Sequence, residues 1–214
     1  MRRIRDLLAE LPAVGRWSVL GGAALIVALL VGAGIWTLLG HWEAEAARRL
    51  GEASTAYRQA MAGGEDAALV AAADTLRKAL ADHPRARGSA AAWYELGNLE
   101  YRRRAYDTAL GAFEAAADQD RGSIGGLSRL AVGYTWEAKG DLGQALAAYQ
   151  AVLAGRDAAD FLFGEALLGV ARVQEGLQQT SAAVASYQRF LKDLPQSSRI
   201  PEVRARLAIL GSGA

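Results

Sequence analysis

The chain has 214 residues and a formal net charge of +1, with 24 Lys or Arg against 23 Asp or Glu. So balanced a charge gives no electrostatic reason to expect a nucleic acid as a partner. The sequence contains no Cys, which excludes disulfides, thiolate nucleophiles and cysteine-ligated metals. Its many Ala and only four Pro favour an all-α protein, because Ala has the highest helix propensity and Pro interrupts helices.

The first element along the chain is an apolar segment at residues 17–39, which carries no charged side chain. A helix of this length spans roughly 34 Å at about 1.5 Å per residue, enough to cross the hydrocarbon core of a bilayer. Trp17, Trp36 and Trp42 lie near its two ends, where indole rings favour the membrane interface. The segment therefore predicts a single N-terminal transmembrane helix.

A cleaved signal peptide is the alternative, since Ala44 and Ala46 form a small-x-small site just downstream. The apolar core of a signal peptide usually runs about 7–15 residues, shorter than the segment at 17–39. We therefore expect the segment to be kept as an anchor, although the sequence alone leaves cleavage open.

The flanks of the apolar segment predict its direction in the membrane. Four Arg residues precede it within residues 1–16, whereas Glu43 and Glu45 follow it. The four are Arg2, Arg3, Arg5 and Arg16. The positive-inside rule then predicts a cytoplasmic N-terminus over residues 1–16 and an exported remainder. In a bacterium this describes a single-pass protein of the inner membrane with a periplasmic domain.

Small residues recur at every fourth position of the predicted membrane helix, at Ala24, Ala28 and Gly32. They share one helix face, and small residues at this spacing let helices approach closely in lipid. We interpret them as a candidate packing stripe for a partner helix or a second copy. The alternative is that Ala and Gly are simply common in membrane helices, and the sequence leaves homo-oligomer formation open.

Residues 43–84 follow the anchor and contain two amphipathic segments, joined at Gly63-Gly64 and closed by Pro84. Their apolar spacing predicts an antiparallel pair of helices that continues from the anchor. The first segment lacks the Trp and Gly that begin the next helix pair along the chain. We interpret residues 43–84 as a degenerate first repeat.

Residues 88–198 contain a clear internal repeat. Ala109, Ala145 and Ala183 are 36 and 38 residues apart, and an aromatic residue follows each of them by four positions. Together with the stretch from Trp93 to Gly97, this pattern is typical of tetratricopeptide repeats. It predicts three stacked helix pairs, because a single pair cannot bury its apolar face. An ordinary helix bundle is the alternative. The aromatic residues are Phe113, Tyr149 and Tyr187.

The ends of the repeats are also marked in the sequence. We expect the residues beyond the usual repeat length to form loops at Asp118–Gly125 and Gly155–Asp160. Residues 199–214 contain Ile200-Pro201, where Pro suits the first turn of a helix. They predict a capping helix and a short tail, so the whole chain is expected to be a membrane helix followed by an α-solenoid.

A search for catalytic residues finds no convincing set. The two His residues, His41 and His83, have no second His or well-placed carboxylate, and we interpret both as surface residues. Gly63-Gly64-Glu65-Asp66 fits a turn before a helix better than a catalytic loop. No pairing of nucleophile and base can be assembled. The sequence therefore predicts a protein that is not an enzyme and needs no cofactor or metal.

With no catalytic residues predicted, the remaining expectation is a surface that binds other proteins. In stacked repeats the first helix of each pair lines one face, and its outward positions select the ligand. Tyr and Arg are frequent at such binding hot spots, although Tyr here can equally pack against the neighbouring helix. The candidate protein-binding residues are Tyr94, Asn98, Tyr101, Arg102, Tyr134, Glu137, Arg172 and Glu175.

Asn98 stands where some repeat proteins clamp a C-terminal carboxylate. The Lys residues of such a clamp are missing, because Tyr94 and Glu165 stand in their places. The sequence therefore does not predict a carboxylate clamp.

The layout of a basic N-terminus, one anchor and an exported repeat array resembles the bacterial ancillary SecYEG translocon subunit family. That family shares its repeat domain with the cell division coordinator of the Tol–Pal system. The residues that carry the resemblance are Trp93, Gly97, Ala109 and Gly140-Asp141. The resemblance implies a partner in the Sec translocon, and exported polypeptides handed to periplasmic chaperones. A structural scaffold for a cell-envelope assembly in division, Tol–Pal, secretion or cytochrome maturation is the alternative.

Overall fold

The computed structural model describes residues 13–212 of the chain. Residues 1–12 lie outside this range, and with them Arg2, Arg3 and Arg5 of the expected cytoplasmic segment. The side chains of Arg16 and Trp17 lie outside the described part as well. The chain divides into two compact units, Met1–Glu45 and Ala46–Ala214.

Within residues 13–212 the structure consists of nine helices and no strand, which confirms the all-α prediction. In chain order they are α1 (Ala13–Gly63), α2 (Asp66–Asp82), α3 (Ser89–Arg102), α4 (Tyr106–Gln119), α5 (Ser123–Lys139), α6 (Leu142–Leu153), α7 (Phe163–Gly176), α8 (Thr180–Asp193) and α9 (Ile200–Ser212).

Residues 13–45 of the first unit are helical, and the apolar side chains described there are exposed. Leu30 is 68% exposed and Trp36 is 78% exposed. Among the described residues one helix is long and apolar enough to cross a membrane. Ala24, Ala28 and Gly32 are exposed too, and a Cβ added at Gly32 would meet no atom within 4 Å. Their role in helix packing stays a prediction.

The second unit is a series of helix pairs, α3 with α4, α5 with α6 and α7 with α8. They are preceded by residues 46–63 of α1, which share a hydrophobic core with α2 and α3. The first helices also touch one another, α3 against α5 and α5 against α7. The last helix, α9, packs on α8, where Val203 is fully buried with Phe163 and Phe190. This is the arrangement that the repeat pattern predicts, with α9 closing its end.

A small residue facing an aromatic ring closes each helix pair. A Cβ added to Gly97 would lie 2.5 Å from the ring of Phe113, and one added to Gly133 would lie 2.5 Å from the ring of Tyr149. In the third pair Ala171 takes the equivalent position and is fully buried. The 36- and 38-residue spacings of the sequence therefore reflect a contact that repeats in space.

Two details differ from the sequence-based expectation. The loop expected at Asp118–Gly125 is shorter, because the Asp120 carboxylate accepts a 2.8 Å hydrogen bond from the Gly125 amide and lets α5 begin at Ser123. His83 is only 6% exposed, so it is not a surface residue. Its carbonyl accepts a 2.8 Å hydrogen bond from the Ser89 hydroxyl, which holds the turn between α2 and α3 against the core.

The turn inside each helix pair needs one residue in the left-handed region of backbone conformation. Arg104, Gly140 and Gln178 occupy this position, with φ of 60°, 90° and 60°. Of these three, only the middle turn uses Gly, which adopts such a φ without steric cost, as does Gly64 between α1 and α2 with φ of 76°. The other two turns carry the backbone cost that a Cβ imposes there.

We expect Gly140→Ala to lower the free energy of unfolding by about 1 kcal/mol, because Ala at this φ strains the backbone. No atom lies within 4 Å of the added methyl group, so packing does not contribute. Gly143→Ala is the matched control, since Gly143 lies within α6 and only the Asp141 carboxylate stands near its new Cβ, at 3.7 Å. It should raise stability by about 0.5–1 kcal/mol. Denaturant titration followed by circular dichroism measures both, and two changes of the same sign would contradict this account.

Candidate binding groove

The face formed by the first helices carries a groove of about 260 Å³ between α3 and α5, with one ring of α4 at its floor. We call this site the groove. Its lining is mostly aromatic and aliphatic, with one amide. The lining residues are Tyr94, Asn98, Tyr101, Phe113, Leu127, Leu130, Ala131 and Tyr134.

Pairs of aromatic rings shape the wall that α3 contributes. Tyr94 packs against Phe113 with ring centroids 5.7 Å apart, and Tyr101 packs against Tyr106 at the same distance. Tyr101 is 38% exposed, which makes it the most accessible ring in the groove. Partial burial raises the pKa of its hydroxyl, so the group is neutral near neutral pH.

The N-terminal edge of the groove is tied to residues 46–63. The Asn98 amide donates a hydrogen bond of 3.5 Å to the hydroxyl of Tyr57. The Arg102 guanidinium donates one of 2.8 Å to the carbonyl of Met61. Arg102 therefore has its charge directed at a helix end, where a cation satisfies an open carbonyl.

Glu137, Tyr149 and Arg172 form a polar cluster that joins the second helix pair to the third. The Tyr149 hydroxyl donates to a Glu137 carboxylate oxygen at 2.8 Å, and the Arg172 guanidinium donates to the same oxygen at 2.7 Å. We call this arrangement the Tyr–Glu–Arg latch. Burial, followed by the charge of Glu137, raises the pKa of Tyr149 far above its ordinary value.

A second latch repeats the same arrangement one unit later. The Tyr187 hydroxyl donates to Glu175 at 3.2 Å, and the Arg206 guanidinium donates to the same carboxylate at 3.2 Å. Arg206 belongs to α9, so this latch fastens the terminal helix to the last repeat. Charge-assisted hydrogen bonds of this kind are roughly twice as strong as neutral ones.

Tyr134 lies where the groove meets the first latch. Its hydroxyl donates a 3.0 Å hydrogen bond to Glu165, and its ring stands edge-on to Tyr149 with centroids 5.5 Å apart. The Arg172 guanidinium lies 5.8 Å from the centre of the same ring. Burial, and then the charge of Glu165, raises the pKa of Tyr134 to about 12.

The structure thus brings together four of the eight predicted binding residues in the groove. The other four bond within the repeat array, Arg102 at a helix end and Glu137, Arg172 and Glu175 in the latches. Sequence reasoning missed Phe113, Leu127, Leu130 and Ala131 as lining residues. Phe113 could have been singled out from the sequence, because the aromatic residues at the same position of the other two repeats carry a hydroxyl and Phe113 does not. The four residues in the groove are Tyr94, Asn98, Tyr101 and Tyr134.

A buried carboxylate outside the groove has a structural role. Glu100 is 1% exposed and pairs with Arg77 and with Arg103, the latter at 3.0 Å, while the Thr108 hydroxyl donates to it at 3.3 Å. These contacts join α2, α3 and α4. In the part of the chain that the structure describes, no group of three His, Asp or Glu side chains is placed to hold a metal ion.

Comparison with known proteins agrees with this architecture. A solved structure of a tetratricopeptide repeat protein from Parabacteroides merdae ATCC 43184 superposes on the chain with a TM-score of 0.62 and 19% sequence identity. The match covers 78% of this chain and only 61% of that one. At this identity the likeness shows a tetratricopeptide-type fold and nothing finer. No protein-family model and no curated protein matches the chain.

We expect Tyr149→Phe to weaken the first latch by about 1–2 kcal/mol, because it removes a hydrogen bond to a charged group. It should also change the pH dependence of stability. A Tyr whose pKa is raised by folding from its ordinary value of 10.0 contributes stability that is present below pH 10 and lost as the pH rises above it.

The variant should therefore lose less stability above pH 10 than the parent chain, which urea titrations on either side of pH 10 measure. Four other tyrosines with raised pKa stay in place, so part of the decline remains. An equally steep decline in Tyr149→Phe would show that the latch does not hold this proton.

Proposed function

We propose that this chain is a membrane-anchored protein-interaction module that binds a segment of another polypeptide in the groove. The observation that carries the proposal is an exposed, aromatic-lined groove between neighbouring first helices of a tetratricopeptide-type array. Stacked repeats of this type present such surfaces to protein ligands, and tyrosine is common at binding hot spots. Tyr94, Asn98, Tyr101 and Tyr134 are the residues that we assign to the contact.

The proposed anchor is the apolar segment at 17–39. Its large apolar side chains, such as Leu30 and Trp36, are exposed over a stretch long enough for a bilayer, and water is an unfavourable solvent for such a surface. The Arg residues before it support a cytoplasmic N-terminus and an exported array. The small residues Ala24, Ala28 and Gly32 are our proposed contact for another membrane helix.

The partner that we propose is the bacterial Sec translocon, with emerging exported polypeptides as the ligands of the groove. The support is the resemblance in layout to the ancillary translocon subunit family, together with an array built for protein contacts. A scaffold for an envelope assembly would use the same groove with a different partner. The identity of crosslinked partners separates the two.

The absence of Cys makes the membrane topology directly testable, because one introduced thiol is then the only one present. We expect Gly211→Cys, at an exposed site in α9, to react with a membrane-impermeant maleimide in intact bacterial cells whose outer membrane has been permeabilised. Leu7→Cys, before the anchor, should react only after the inner membrane is opened. The reverse labelling pattern would contradict the proposed orientation, and release of the Gly211→Cys protein as a soluble fragment would indicate cleavage.

A photo-crosslinking amino acid at Tyr101 tests the groove in the native membrane. We expect it to capture Sec subunits or exported polypeptides, identified by mass spectrometry of the adducts. Val70 is the matched control, since it is also 38% exposed but lies on α2 outside the groove lining. A third probe at Ala28 reports on partners of the anchor.

Adducts with division or envelope-assembly proteins at Tyr101 would favour the scaffold. Equal capture of the same proteins from Val70 and Tyr101 would show that the groove is not the binding surface.

A further inference from the structure

The three joints that follow α4, α6 and α8 use equivalent positions, and of these three only the joint after α4, which we call the first joint, lacks the latch. One position is on the first helix, one on the second helix, and one on the first helix of the following unit. The residues at these positions are Tyr101, Phe113 and Tyr134 in the first joint, Glu137, Tyr149 and Arg172 in the second, and Glu175, Tyr187 and Arg206 in the third.

At the first joint, none of the three residues carries the chemical group that forms the latch at the equivalent position of the other two joints. Tyr101 has no carboxylate, Phe113 has no hydroxyl and Tyr134 has no guanidinium. The Tyr134 hydroxyl is directed instead at Glu165, 3.0 Å away. The three rings line the groove without any hydrogen bond among them that the structure records, and a space of about 260 Å³ stays open at this joint.

The charges that contact the groove lining are already neutralised within the protein. Glu165 accepts hydrogen bonds from Tyr134 at 3.0 Å and from Arg199 at 3.2 Å. Arg172, which lies over the Tyr134 ring, is paired with Glu137. The charge of Glu137 raises the pKa of Tyr101 and the charge of Arg172 lowers it, so the electrostatic fields of this pair partly cancel at the groove. An ionic side chain entering here would lose its hydration without gaining a charged partner.

We propose that the groove accepts one uncharged, apolar side chain, aromatic or large aliphatic, from an extended segment of a partner polypeptide. This inference rests on the proposed function and specifies the chemistry of its ligand. The groove is smaller than the roughly 300–1,000 Å³ of typical small-molecule sites, so it suits one side chain. Tyr94, Phe113 and Tyr134 offer ring faces and edges, which favour a further ring or an aliphatic group in tilted contact.

Amides of single amino acids provide the test, with the full chain in lipid nanodiscs and fluorotyrosine as the NMR reporter. We expect N-acetyl-phenylalaninamide and N-acetyl-leucinamide to shift the Tyr101 and Tyr134 signals with dissociation constants in about the millimolar range, as such small ligands allow. The corresponding Arg and Glu amides should leave both signals in place. Equal or larger shifts with the Arg amide would overturn the proposal and indicate a cation site.

A latch built into the first joint is the matched variant. Tyr101→Glu, Phe113→Tyr and Tyr134→Arg together recreate the residue set of the other two joints and should close the groove. We expect binding of the Phe amide, followed at leucine and alanine methyl signals, to weaken by about tenfold or more, equivalent to roughly 1.4 kcal/mol. Ala131→Phe, which fills the groove from its lining, gives a second test if the triple variant folds poorly. Undiminished binding in a folded variant of either kind would overturn the proposal.

The NMR test with amino-acid amides and the crosslinking test at position 101 distinguish a wrong ligand chemistry from a wrong proposed function. If position 101 captures polypeptides but the amides show no preference for apolar side chains, the interaction module stands and the ligand chemistry is wrong. If the apolar amides bind as expected but position 101 captures nothing, the proposed function is wrong.

Capture of a second copy through Phe161, which is 64% exposed on the loop before α7, would replace the partner by the chain itself, and Phe161→Ala would abolish that adduct.

Discussion

The contact of a small residue with an aromatic ring is the constraint on which the repeat array depends. Gly97 and Gly133 leave no room for a methyl group beside Phe113 and Tyr149, so the two helices of each pair approach as closely as their backbones allow. That close approach brings the next first helix against the same ring. Both the groove and the latches lie beside these rings, so their geometry follows from the absence of a side chain at two glycines.

The two kinds of joint stabilise the array by different forces. The latches combine a half-buried carboxylate with a guanidinium and a phenol, and they are held by charge in surroundings that exclude part of the water. The first joint has ring contacts and apolar burial in place of a latch, with an exposed pair of Lys139 and Asp107 and a 2.8 Å hydrogen bond from Arg129 to the Ala117 carbonyl beside them. Salt screens charged pairs and leaves ring contacts nearly unchanged, and an exposed pair contributes little, so the latched joints should be more sensitive to ionic strength than the first joint.

Much of the fold could be predicted from the sequence, because helix propensity and a repeated small-to-aromatic spacing are local or periodic signals. The candidate site was less predictable. The spacing of the repeats predicts that Glu137 and Arg172 lie on the same face of the array. It does not show that the Arg172 guanidinium, 35 residues further along the chain, reaches the Glu137 carboxylate. The burial of His83 could not be predicted from the sequence for the same reason, since it depends on how a turn folds back on the core. The binding role of the groove residues stays a prediction.

The groove is lined by side chains of two neighbouring helix pairs alone, and positions 101, 113 and 134 in it are those that form the latch at the other two joints. Its specificity is therefore independent of where in the series it stands. Duplication or loss of a whole helix pair would shift the groove along the array without changing its lining. A lineage of such proteins could adjust the length of the array and ligand choice separately, the first by repeat number and the second by side chains at one joint.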